Sequence, residues 1–203
     1  MFLIKRLFDF VFSLVSIIIL LPFLLIIAFL IFITDPNGPI IFRQLRIARG
    51  GGEFILYKFR TMYKDADRKG FLTVGMRDSR ITPIGYFLRK YKLDELPQLF
   101  NVLIGNMSVV GPRPEVPKYV ARYNQEQLKL LKVKPGLTDY ASIEYSNENE
   151  ILGKSANPEE TYINEVMPAK LALSLKYIDH VNPITDTIII IKTIWKIFKP
   201  SKS

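Results

Sequence analysis

The chain has 203 residues, with 28 Lys plus Arg against 19 Asp plus Glu, a net charge of +9 and 49% hydrophobic residues. The absence of Cys and the presence of one His, His180, exclude a disulfide scaffold, a thiol nucleophile and a Cys/His zinc site. The basic excess favours anionic partners (nucleic acid, anionic lipid or phosphorylated substrates), and the apolar content directs attention to a membrane segment.

From Phe10 to Ile33 there is no charged residue. A helix over this run of about 24 residues reaches roughly 36 Å, enough to cross a hydrocarbon core. The run is too long for a secretory signal, and no small-residue cleavage site follows it. Length alone fits a plain single span. Two features point instead to a helix that enters and leaves by one face. Pro22 removes a backbone donor mid-run and predicts a kink, with the Ile18 carbonyl left exposed. Both flanks are basic: Lys5 and Arg6 before the run, Arg43, Arg46, Arg49, Lys58 and Arg60 after it.

Asp35-Pro36-Asn37-Gly38-Pro39 ends the apolar segment. Ile40-Ile41-Phe42 and Phe54–Phe59 read as two strands of a β-hairpin, with Arg49-Gly50-Gly51-Gly52-Glu53 in the turn. Residues 63–80 read as a loop with a short helix. Thr82-Pro83 starts a helix that runs through Arg89, and a second is expected from near Asp94 through Leu103. Pro112 and Pro114 stiffen the next connection. Residues 115–132 read as helical up to Lys134-Pro135-Gly136, and Glu159 to Tyr177 as a further helix. In the tail, Lys192, Lys196 and Lys199 share one helical side of an otherwise Ile-rich segment that carries Trp195. That segment fits either an interfacial helix, with lysines toward headgroups, or a basic-faced helix packed on the core.

Two segments could carry chemistry. In Lys92-Leu93-Asp94-Glu95-Leu96-Pro97-Gln98, adjacent carboxylates at a helix start can simply complement the macrodipole. The same place keeps Asp94 ionised and presents free N–H groups to a phosphoryl group, so Asp94 can also act as a nucleophile toward phosphorus. Glu95 then points elsewhere around the helix and can serve a second substrate. In Gly111-Pro112-Arg113-Pro114, two prolines hold Arg113 on a stiff backbone. This reads as a rigid turn with a solvated Arg, or as a pre-positioned guanidinium for phosphate. Lys58, Arg60 and Arg89 could add cations to the same pocket. Neither a Walker A sequence nor a GxGxxG turn is present, which removes the usual nucleotide loops.

Taken in order, the apolar helix with its central Pro, IFRQLR (41–46), YKFRTM (57–62), LDELPQLFNVLIGNMSVVGPRP (93–114) and VKPGLT (133–138) resemble the bacterial sugar transferase family, the small monotopic phosphoglycosyl transferases. The resemblance covers nearly the whole chain and is most specific over 81–114. It implies an α+β, mainly helical fold: a re-entrant membrane helix (1–34), a cytosol-facing catalytic domain with a small β-hairpin (35–186) and an amphipathic interfacial tail (187–203). It implies transfer of a sugar-1-phosphate from a UDP-sugar to polyprenyl (undecaprenyl) phosphate, with release of UMP, through a covalent aspartyl intermediate and with Mg²⁺. Such a reaction starts bacterial surface glycan synthesis on the cytoplasmic face of the inner membrane, with membrane lipid and downstream glycosyltransferases as partners. By match of position, Asp94 is the nucleophile, Glu95 is its acidic partner, and Arg60, Arg89 and Arg113 line the phosphate site. Lys58 joins the expected substrate-binding set as a further cation, and Asp94 is expected to bind the Mg²⁺ together with the substrate diphosphate, both being hard oxygen donors. Two departures stand out. Leu21 occupies the place before the kink proline where the family often has Ser. Glu144-Tyr145-Ser146-Asn147 stands where many members carry an Arg.

The different class of reading is a basic, membrane-anchored scaffold without catalysis. It would share the charge and the helices, but has no need of Asp94, Glu95 and Arg113 together. Nucleic-acid binding ranks last, because aromatic and basic residues are not interleaved.

Overall fold

A computed structural model describes residues 2–66 and 78–198. Most of the loop expected over 63–80, and Lys199 of the tail, lie outside the described residues. The apolar run forms one helix, α1 (Phe2–Thr34), that continues through Pro22. It is long and apolar enough to cross a membrane. Its buried side is a stripe of Asp9, Ser13, Ile17, Leu24, Ile27 and Ile31, the four-and-three spacing of one helical face. Leu3, Ile4, Leu7, Ile18, Ile19, Leu25, Ile26 and Phe29 lie exposed on the remainder.

The hairpin forms as expected, from β1 (Ile41–Ile47) and β2 (Glu53–Phe59), antiparallel with Phe42 opposite Lys58 and Gln44 opposite Leu56. Gly50 and Gly51 take φ of +82° in the turn, a conformation open to glycine at little steric cost. Phe54 and Leu56 alternate into the core, and Lys58 shares their face.

Then come α2 (Pro83–Lys90), a 3₁₀ turn (Leu93–Glu95) and α3 (Gln98–Ile104). The single helix expected from Asp94 is thus divided. Pro97 lacks the N–H that would continue the ladder, and the turn before it tightens. A short parallel pair that periodicity did not reveal follows: β3 (Ser108–Val110) beside β4 (Gly136–Thr138), with Ser108 opposite Gly136. Its backbones approach so closely that a Cβ on Gly136 would sit 2.1 Å from the Gly111 nitrogen.

The helix expected over 115–132 is mostly absent. α4 (Pro117–Val120) is one turn, and a 3₁₀ segment (Gln127–Lys132) follows a turn in which Asn124 accepts the Glu126 and Gln127 N–H groups. Asn offers the backbone this local alternative to helix. After α5 (Tyr140–Glu144) and α6 (Glu148–Gly153), the helix expected over 159–177 is also interrupted. α7 (Pro158–Thr161) passes through a π turn (Tyr162–Val166) into α8 (Met167–Ile178). Pro168 removes one donor there, and the wide turn absorbs the missing bond. The tail forms α9 (Pro183–Phe198). Ile189 is wholly buried and Thr193 hydroxyl bonds Thr138 at 2.7 Å, while Ile184, Ile191, Ile194 and Trp195 stay exposed.

Both halves of α1 dock on the rest of the chain. Near its start, Asp9 accepts from the Ser108 hydroxyl (3.0 Å) and the Val109 N–H (2.9 Å). Arg6 donates to the Val102 and Leu103 carbonyls at the end of α3, both at 2.7 Å. Lys5 pairs with Asp186 of α9 at 2.5 Å. Toward its other end, Leu24, Ile27 and Ile31 pack with Phe59 and Leu88.

Candidate active site

The site is assembled where β2, α2 and the 3₁₀ turn meet. Thr82 caps α2 by accepting the Gly85 N–H at 3.0 Å, with Pro83 at the first helical position. A Cβ on Gly85 would lie 2.0 Å from the Thr61 carbonyl oxygen, so glycine lets α2 press against the chain just past β2. This contact brings Arg89 to Thr61, whose hydroxyl accepts from Nε at 2.8 Å. Beyond α2, Lys92 takes a left-handed conformation (φ 57°) that turns the backbone sharply into Leu93-Asp94-Glu95.

Glu95 is the electrostatic centre of the cluster. It pairs with the Lys58 ammonium at 3.2 Å and with the Arg113 guanidinium. Arg113 is held by the parallel strands beneath it. The Gly111 N–H donates to the Thr138 carbonyl, the Gly136 N–H donates to the Pro112 carbonyl, and Arg113 Nη1 donates to the Leu137 carbonyl at 3.0 Å. A guanidinium carries five N–H donors, so further donors remain for a ligand. Burial opposes the charge on Glu95, but Arg113, Lys58 and Lys92 outweigh it and hold this carboxyl well below the ordinary range.

Asp94 differs in kind. It is 8% exposed, and among the described residues no hydrogen bond or ion pair engages its carboxylate. Burial raises its pKa, the Glu95 charge adds to that, and Lys58, Arg89 and Lys92 act against it. Two adjacent carboxylates therefore diverge: Glu95 is locked in its charged form by cations, and Asp94 is buried, unpartnered and left for a ligand.

Of the six residues expected at the site, Lys58, Arg89, Asp94, Glu95 and Arg113 come together. Arg60 does not join their ion pairs. It is buried, bonds Asp35 at 2.9 Å and folds over Gly38, which ties the end of α1 to the end of β2. Thr61, Lys92 and Gln98 were not singled out from sequence. Gln98 and Asn101 were legible only as the two polar residues of an otherwise apolar run over 96–104. Among the described residues, no group of three or more His, Asp or Glu side chains could hold a metal unaided. Within this cluster Asp94 is the carboxylate outside the ion pairs, and one such carboxylate fits Mg²⁺ held mainly by substrate phosphates and water.

Comparison with known proteins shows the family. Residues 1–200 match the family described as bacterial sugar transferase. The chain is 34% identical over 194 residues to a UDP-N-acetylgalactosamine-undecaprenyl-phosphate N-acetylgalactosaminephosphotransferase of Aeromonas hydrophila, covering 94% of this chain and 43% of that protein. It is 41% identical over 154 residues to a UDP-glucose:undecaprenyl-phosphate glucose-1-phosphate transferase of Klebsiella pneumoniae, covering 74% and 33%. With the exopolysaccharide production protein PSS of Rhizobium leguminosarum bv. phaseoli it shares 35% identity over 201 residues, covering 94% and 92%. The chain thus spans less than half the length of the first two relatives and nearly all of the third.

Proposed function

The chain belongs to the bacterial sugar transferase family, and from that premise we propose that it moves a sugar-1-phosphate from a UDP-sugar to polyprenyl phosphate through a covalent intermediate on Asp94. The observation that carries this is the contrast at the 3₁₀ turn. Asp94 is buried and unpartnered beside a Glu95 locked by Lys58 and Arg113. An Asp with only a capping role would be solvated or bonded to backbone N–H groups.

In the first step an Asp94 carboxylate oxygen bonds to the sugar-bearing phosphorus of the diphosphate. The bond from that phosphorus to the bridging oxygen breaks, and UMP leaves with the electron pair. In the second step an oxygen of the polyprenyl phosphate attacks the same phosphorus, the bond to Asp94 breaks, and the carboxylate is restored. Neither step requires a proton. Lys58, Arg89 and Arg113 offset charge on the phosphates, and Glu95 holds Lys58 and Arg113 in register. Mg²⁺, when bound, would be held by Asp94 and would neutralise diphosphate charge. The donors in the relatives' names are UDP-N-acetylgalactosamine and UDP-glucose, which supports a UDP-sugar here.

The membrane placement follows the same reading. The donor is cytosolic and the acceptor presents its headgroup at the bilayer surface, so the site belongs at the cytoplasmic surface of the inner membrane. Two-ended docking of α1 on one body supports a re-entrant rather than a crossing helix. The exposed Ile184, Ile191, Ile194 and Trp195 of α9 support a second, interfacial contact. The product is then the lipid-linked first unit of a surface glycan, the substrate of a downstream glycosyltransferase.

The test is Asp94→Asn, which preserves shape and removes the nucleophile. UMP release from UDP-sugar with polyprenyl phosphate is expected to fall at least about a thousandfold. Radiolabelled sugar-phosphate is expected to be trapped on the wild-type protein and not on the variant. Turnover near wild type, with deamidation excluded, would refute the mechanism.

A further inference from the structure

We infer that Thr61 is a positioning residue for Arg89: its hydroxyl fixes the plane of the Arg89 guanidinium and so sets the angle at which that cation meets the diphosphate of the UDP-sugar. This deepens the transfer reading and rests on it for the substrate. The contact is a hydrogen bond of 2.8 Å from Arg89 Nε to Thr61 Oγ1. Thr61 is 6% exposed, which leaves water little access to compete for its hydroxyl.

The backbone on both sides of Thr61 is pinned. The Arg60 N–H donates to the Ile40 carbonyl at 2.9 Å, and the Thr61 carbonyl accepts the Thr82 N–H at 3.0 Å. Beyond them, Met62 bridges Ile81 and the Tyr63 N–H donates to the Arg80 carbonyl at 2.9 Å. These bonds seat Thr61 between the end of β2 and the start of α2. A β-branched side chain on a fixed backbone has few rotamers, so the hydroxyl is fixed as well.

Arg89 reaches it from one face of α2. Gly85 lies one turn earlier on that face and presses on the Thr61 carbonyl. One residue of α2 thus spaces the helix against Thr61, and the next on the same face takes its hydroxyl. Thr82 already caps α2, and the Thr82 N–H already ties it to the Thr61 carbonyl. Joining the two segments does not need the Thr61 hydroxyl. What that bond adds is the orientation of one side chain.

Orientation matters because a guanidinium is planar and recognises phosphate through a fork of N–H groups. A long Arg side chain loses rotamer freedom when it binds a ligand, and an anchor at Nε removes that freedom beforehand. The Arg89 charge also reaches Asp94, which attracts it. The cation that Thr61 orients is therefore one that acts at the proposed nucleophile.

The experiment measures UMP release, with polyprenyl phosphate and the UDP-sugar that the wild type turns over, on full chains in detergent. Thr61→Val, Thr61→Ala and Thr61→Ser are each made alone and together with Arg89→Lys. Val matches Thr in shape and lacks the hydroxyl. Thr61→Val and Thr61→Ala are expected to lose about ten- to hundredfold in kcat/KM, and Thr61→Ser to recover most of it. Arg89→Lys keeps the charge but has no Nε to anchor. In that background Thr61→Val is expected to change kcat/KM by less than about twofold. Wild-type kcat/KM in both Thr61→Val and Thr61→Ala would overturn the inference. So would an equal loss in both backgrounds, or a loss that Thr61→Ser does not restore, since each marks a packing role. Asp94→Asn is run alongside. If it is inactive while Thr61 and Arg89 prove uncoupled, only the inference fails. If it is active while the two remain coupled, the nucleophile assignment fails and the orienting role of Thr61 stands. A wild type that turns over no UDP-sugar would refute the transfer reading and the inference with it.

Discussion

Asp94 and Glu95 are adjacent in sequence, yet their surroundings push them in opposite directions. Glu95 gains Lys58 and Arg113 on folding, so its carboxyl titrates below its ordinary value of 4.5. A depressed folded value means the stabilisation is present above pH 4.5 and is lost as pH falls below it. Glu95→Gln leaves two cations without a counter-charge and is expected to cost about 1–3 kcal/mol at neutral pH. The gap in melting temperature from wild type is expected to narrow below pH 4.5. Asp94 has the reverse sign. Burial raises its titration above 3.8, so ionising it in the folded protein opposes stability once pH passes the unfolded value. Asp94→Asn is thus expected to melt above wild type at pH 7 although inactive. Thermal melts of the two variants across pH 3.5–7.5 check both signs. If Asp94→Asn melted lower, the carboxylate would be serving the fold.

At the scale of elements, the site depends on strand β2 being held at both edges. One edge is paired to β1, and the other is closed by the Asn101 side chain at Tyr57 and Ile55. Asn101→Leu is nearly isosteric but orphans a backbone N–H and a backbone carbonyl. A loss of about 2–4 kcal/mol is expected, the sum of two unmet groups. Because β2 carries Lys58, UMP release is expected to drop as well, with the deficit appearing in both kcat and KM. Denaturant unfolding and steady-state kinetics on the same preparation test this. An active Asn101→Leu protein of wild-type stability would contradict the role. The β3–β4 pair works on the opposite side of the cluster, where the Gly111–Gly136 approach lets Arg113 meet the Leu137 carbonyl and Glu95.

For the whole molecule, the decisive relation is between α1 and everything else. Arg6 and Asp9 near its start and Asp35 just past its end are each bonded to the remainder of the chain. A straight crossing would separate those ends by a bilayer. A re-entrant helix keeps them on one side, so both ends are expected in the cytoplasm. The chain has no Cys, which permits clean labelling of Leu3→Cys and Gln125→Cys, both at exposed positions. In intact cells an outside-only thiol reagent is expected to label neither, and both are expected to react after permeabilisation. Labelling of Leu3→Cys alone in intact cells would mean a full crossing.

How much of this could be read from residues alone follows the range of the forces involved. The apolar run, the hairpin, the Thr82-Pro83 helix start and the tail helix rest on local composition and periodicity, and all appear in the structure. The family motifs name Asp94, Glu95 and Arg113, and the fold brings these three side by side. The interrupted helices at 97, 121–126 and 162–166 escaped because a continuous apolar pattern conceals where one donor is lost or a side chain takes its place. The β3–β4 pair escaped because its strands are three residues each and 25 residues apart, too short and too distant to leave a periodic trace. The fate of the charges was least legible. Composition cannot tell that Arg60 closes on Asp35, that Glu95 takes two cations, or that Asp94 takes none, because burial and long-range pairing assign those partners only once the chain has closed on itself.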